Sequence, residues 1–72
     1  VELDKKMILV QFGSKLRAIR EEKGFTQQQL AIELGVEISQ ISRIERGVIN
    51  TSVTTIYYIC QILKINASQL FE

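Results

Sequence analysis

The 72 residues, 46% hydrophobic with a formal net charge of +1, describe one small folded domain rather than a disordered chain. A single cysteine, Cys60, excludes an internal disulfide, and the lack of any His removes His-based catalysis and the usual zinc ligands. The near-neutral charge excludes a strong general field for nucleic acid, so binding of that kind must rest on local charge placement and helix geometry.

No apolar run approaches the roughly 20 residues of a membrane span, and no signal peptide is read. A membrane partner is therefore not expected, and a reducing cytoplasm is the expected setting for the lone thiol. Residues 1–6, VELDKK, are charged and expected to fray as a flexible N-terminal segment, which leaves residues 7–72 for the folded domain.

Five helices are marked by their ends. The first is expected from about Met7 to Lys23, with Ile8, Phe12, Leu16 and Ile19 at helical spacing and Gly24 as its stop. Thr26 with Gln29 makes a capping box for the second, and Phe25 with Leu30 a hydrophobic staple. This helix ends near Leu34, with Gly35 past its end. Val36, Glu37, Gln40 and Ile41 then repeat the pattern of Phe25, Thr26, Gln29 and Leu30 to open the third helix, which Gly47 closes. Glu37 is a poor N-cap, so that position is open to another use. The fourth helix is expected from a Ser52 cap to about Lys64, with Ile56, Ile59, Cys60 and Leu63 on one face. Ile65, Asn66, Gln69 and Leu70 repeat the capping pattern again and open a short fifth helix. No strand signal interrupts this all-α reading.

Thr26 to Gly47 is the informative segment. Its apolar positions are Leu30, Ala31, Leu34, Val36, Ile41 and Ile44. The small Ala31 lets the third helix cross close to the second, and Gly35 permits a left-handed turn between them. Two short helices joined this way form a helix-turn-helix. With Ile41 and Ile44 inward, Ile38, Ser39, Gln40, Ser42, Arg43 and Arg46 face partly or fully outward. A helix with that small polar, amide and charged face suits a DNA groove.

On these residues the chain resembles the phage-repressor and Cro type of helix-turn-helix domain, also called the XRE family. The resemblance covers roughly Phe12 to Phe71, through FGSKLRAIREEKGFTQQQLAIELGV, ISQISRIERG, the fourth-helix segment and INASQLF. It implies a five-helix, lambda-repressor-like DNA-binding domain that binds duplex DNA sequence-specifically, usually in transcription regulation. The third helix is then the recognition helix, contacting base edges in the major groove. By position, Glu37, Ile38, Ser39, Ser42 and Arg43 match the reading face, and Gln40 a position that touches bases or phosphate. Gln27 matches a phosphate clamp at the start of the second helix, where free N–H groups favour an anion. Arg46 and Asn50 add backbone contacts. Arg43 suits guanine O6 and N7, Gln40 adenine, Ile38 a thymine methyl and Glu37 cytosine N4.

The resemblance also implies that Arg20 and Glu45 form a structural ion pair. The chain departs from the family pattern in three places. The loop VINTS after Gly47 lacks the basic residues and proline that are often there. Lys64 stands where glycine is usual, so the turn that follows is open to change. Tyr58 and Ile62 stand where lysine and alanine are common; with Ile65, Leu70 and Phe71 they make an apolar patch for a second copy. A homodimer presents two recognition helices about 34 Å apart to a near-palindromic operator.

Plainer readings stand beside these. Lys5, Lys6, Lys15, Arg17 and Lys23 read as a solvated face rather than a docking site, Cys60 as a packed thiol, and Tyr57 and Tyr58 as amphipathic surface cover. Ile38 either packs against the second helix or contacts the groove, and Gln27 is either a helix former or a phosphate ligand. The alternative to a DNA-binding regulator is a protein-interaction module that keeps the fold with weak or no DNA binding. No cofactor, metal or enzymatic activity is expected.

Overall fold

The computed structural model describes residues 4–72. The elements are α1 (Lys5–Glu22), α2 (Gln27–Leu34), α3 (Ile38–Glu45) and α4 (Val53–Leu63), followed by one 3₁₀ turn, Ala67–Leu70. The architecture is all-helical, as the sequence reading expects. The fifth helix is a single four-residue 3₁₀ turn instead of an α-helix.

The helix ends follow local side-chain chemistry. Thr26 Oγ1 accepts from the Gln29 N–H at 3.0 Å, while Gln29 Oε1 accepts from the Thr26 N–H at 2.8 Å, so the expected box forms. Ser52 Oγ accepts from the Thr55 N–H at 3.1 Å and starts α4. Gly35 takes φ 72°, ψ 33°, the left-handed turn between α2 and α3. Glu37 makes no side-chain cap to α3.

The start of α1 differs from expectation. The helix begins at Lys5, with Asp4 Oδ1 accepting from the Met7 N–H at 3.1 Å. Lys5 and Lys6 are therefore helical and not part of a frayed segment, while residues 1–3 of that segment lie outside the described residues. Ile8 is exposed on this early turn. The buried residues of α1 are Phe12, Gly13, Leu16 and Arg20.

The core is Phe12 and Leu16 from α1, Leu30 and Ala31 from α2, Ile41 and Ile44 from α3, Ile59, Cys60 and Leu63 from α4, and Leu70. Each fully buried Leu or Ile contributes about 1.5–3 kcal/mol. α3 packs on both α2 and α1, and α4 closes over α2. The short α3 is thus held from two sides with its remaining face free. Leu70 is 1% exposed and belongs to this core, which corrects its placement in a surface patch.

Candidate nucleic-acid interface

α3 divides sharply around its axis. Ile41, Ile44 and Glu45 are buried. Glu37, Ser39, Arg43 and Arg46 are exposed, and Gln40 and Ser42 are half-buried. Ile38 is 45% exposed, so an apolar side chain stands on the outward face at the start of the helix. No segment of the described chain covers this face. Arg43 is in no ion pair among the described residues. Arg46 Nε makes one long bond to its own helix, to the Ser42 carbonyl at 3.4 Å, and Asn50 is exposed on the following loop. An uncommitted guanidinium, hydroxyls, an amide and a methyl-bearing side chain on one helical face are the donors, acceptors and apolar surface that base edges require.

A buried network fixes the position of that face. Arg20 and Glu45 are 6% and 7% exposed. Arg20 Nε donates to Glu45 Oε2 at 2.6 Å and Nη2 to Oε1 at 3.2 Å, a bidentate pair joining α1 to the end of α3. Arg20 Nη1 donates to the Phe25 carbonyl at 2.7 Å. Removing one partner would strand a buried charge, at about 3–5 kcal/mol. Gln27 joins the network, its Nε2 donating to Glu45 Oε1 at 2.9 Å. That bond uses one of the two amide hydrogens, which leaves the other for an acceptor outside. The sequence reading assigned Gln27 a phosphate role without this tie to the ion pair.

Sequence reasoning also missed two close approaches. A Cβ on Gly13 would collide with the Ile44 carbonyl oxygen and lie 2.5 Å from that of Glu45. A Cβ on Gly47 would lie 2.6 Å from Val10 Cα. α1 therefore crosses the end of α3 backbone to backbone. The available signal was Gly13 itself, a residue about 1 kcal/mol worse than Ala inside a helix and so retained for space.

The expected apolar patch is only partly on the surface. Tyr58 is exposed and stacks edge-on with Tyr57, their ring centroids 5.7 Å apart. Phe71 is exposed, with its ring 5.3 Å from that of Phe12. Ile62 and Ile65 are half-buried against the core, and Leu70 lies within it. Among the described residues no cluster of His, Cys, Asp or Glu has metal-ligand geometry, and no helix is long and apolar enough to cross a membrane.

Known proteins resemble this chain in sequence and fold. The family model described as a helix-turn-helix domain matches residues 13–72. The HTH-type transcriptional regulator SlrR of Bacillus subtilis is 39% identical over 61 residues, covering 83% of this chain and 40% of SlrR. The chain thus spans less than half the length of that relative. The solved restriction-modification controller protein C.AhdI from Aeromonas hydrophila superposes with a TM-score of 0.83 at 38% identity, covering 88% of this chain and 96% of C.AhdI. SinR, the master regulator for biofilm formation solved in complex with DNA, superposes with a TM-score of 0.78 at 29% identity, covering 85% of this chain and 98% of the SinR chain.

Proposed function

The chain belongs to the helix-turn-helix domain family, in the phage-repressor and Cro branch that its sequence resembles, and we propose that it is a sequence-specific duplex-DNA-binding transcription regulator. The observation that carries this reading is the uncovered polar face of α3, held rigidly by the core and by the Arg20–Glu45 pair. α3 enters the major groove. Glu37, Ile38, Ser39, Gln40, Ser42 and Arg43 face base edges, with Arg43 the guanine reader. Gln27, Arg46 and Asn50 hold the backbone. Phosphate contacts set the register and base contacts set the sequence.

Two copies on a near-palindromic site complete the proposal, because a domain of net charge +1 gains little from general electrostatics. Tyr58 and Phe71, flanked by Ile62 and Ile65, form the contact between copies. The free Cys60 suits a reducing cytoplasm.

The test begins with duplexes selected from a random pool. Arg43→Ala is expected to lower discrimination between selected and random duplexes by about 1–3 kcal/mol, with Gln27→Ala weakening binding to both alike. If the two variants behave identically on both duplexes, the division of roles is wrong. If no duplex is enriched, the protein-interaction reading takes its place.

A further inference from the structure

The loop that leaves α3, Val48–Ser52, contains no basic residue. An eight-residue helix is about 12 Å long, and the major groove is about 12 Å wide. With base contacts made from Glu37 to Arg43, the end of α3 leaves the groove at a phosphate ridge, where this loop stands without a cation.

The fold brings cations to that place from elsewhere in the chain. α1 passes Gly47 at Val10, backbone against backbone, and continues outward for more than a turn. Lys5, Lys6 and Leu9 of α1 lie beside Gly47 and Val48, the five together lining one open surface hollow of about 460 Å³. Both lysines are exposed and neither is in an ion pair among the described residues. The neighbouring carboxylate, Asp4, accepts from the Met7 N–H, and Glu45 at the end of α3 is buried against Arg20. Two cations in the first turn of a helix, with no acid beside them in that turn, are locally unfavourable against its dipole. Local rules are broken in this way where another requirement prevails.

We infer that Lys5 and Lys6 extend the DNA interface, contacting the phosphate strand beside the exit of α3 in place of a basic loop. The inference rests on the proposed docking of α3 in the major groove. The partner is the same duplex, matched by charge and continuous with Arg46 and Asn50. α1 is then both scaffold and clamp, and Lys5 and Lys6 are not merely a solvated face.

The test is a salt titration of binding to the selected duplex and to a random duplex. Each phosphate contact adds about 0.9 to the slope of log affinity against log salt, so Lys5→Gln/Lys6→Gln is expected to reduce the slope by about 1.8 on both duplexes. At 0.15 M salt this corresponds to a loss of roughly 30-fold relative to a 1 M reference. Lys5→Arg/Lys6→Arg keeps the slope, and Lys15→Gln, across α1 near Phe71, leaves it unchanged. Matching thermal melts establish that the variants are folded. An unchanged slope in the double Gln variant overturns the inference while DNA binding by the parent stands. An equal loss per charge in Lys15→Gln overturns it as a net-charge effect. A parent that binds neither duplex removes the docking premise itself.

Discussion

Lys64 holds φ 57° and ψ 52°, the one non-glycine residue in the left-handed region among the described residues. Its turn is intact, with the Ile65 N–H donating to the Cys60 carbonyl at 3.0 Å. A side chain here costs about 1–2 kcal/mol, partly offset by the greater freedom that glycine has in the unfolded chain. Lys64→Gly is therefore expected to stabilise the protein by about 0.5–1 kcal/mol, read as a higher urea midpoint at unchanged m-value. An unaltered or lower midpoint would show that Lys64 is held there by favourable contacts. The sequence marked this residue as unusual but left the turn open, because composition does not reveal which strain a fold tolerates. Gln27 was legible in the same limited way. Its place at the head of α2 was readable, but its bond to Glu45 depends on three elements meeting.

At the scale of the element, capping was the most legible signal, because each cap involves atoms within three residues. The Thr26–Gln29 box and the Ser52 cap stand where the pattern placed them. The start of α1 was not legible. Its first turns bury little, so apolar periodicity is silent there, and only the Asp4 cap marks the boundary. Leu70 was misplaced in a surface patch, although it repeats the position of Leu30 in the capping pattern and, like Leu30, is buried. Gly13 provides a test in which two effects oppose each other. Helix propensity alone favours Gly13→Ala by about 1 kcal/mol. The backbone of Ile44 and Glu45 occupies the space a Cβ needs, so the variant is expected to lose about 1–3 kcal/mol in a denaturant melt. A gain in stability would mean that α1 and α3 separate at little cost.

For the whole molecule, the fold class was legible because five short segments, each apolar on one side, admit few arrangements. The outward face of α3 was legible for the same reason, since fixing Ile41 and Ile44 inward fixes the rest. The surface between copies was less so, because a second apolar stripe on α4 looks the same whether it meets a partner or the domain's own core. Ile62 packs against that core, so Tyr58, 54% exposed, is the better probe. Tyr58→Glu is expected to sediment as a folded monomer and to bind a two-half-site duplex more weakly than the parent. A folded dimer would place the contact elsewhere.

Cys60 is the only cysteine, is 7% exposed, and sits on the core-facing side of α4, where burial pushes its thiol pKa up. A thiol reagent reaches it only when α4 lifts, so the labelling rate in native buffer is a built-in clock for breathing of the core. Because α4 closes over α2, whose first residue is Gln27, that clock also records events at the interface. A bound duplex that stabilises the closed domain slows labelling by the ratio of total to free protein. A single atom of sulfur, remote from the groove, thereby allows occupancy to be measured without a tag.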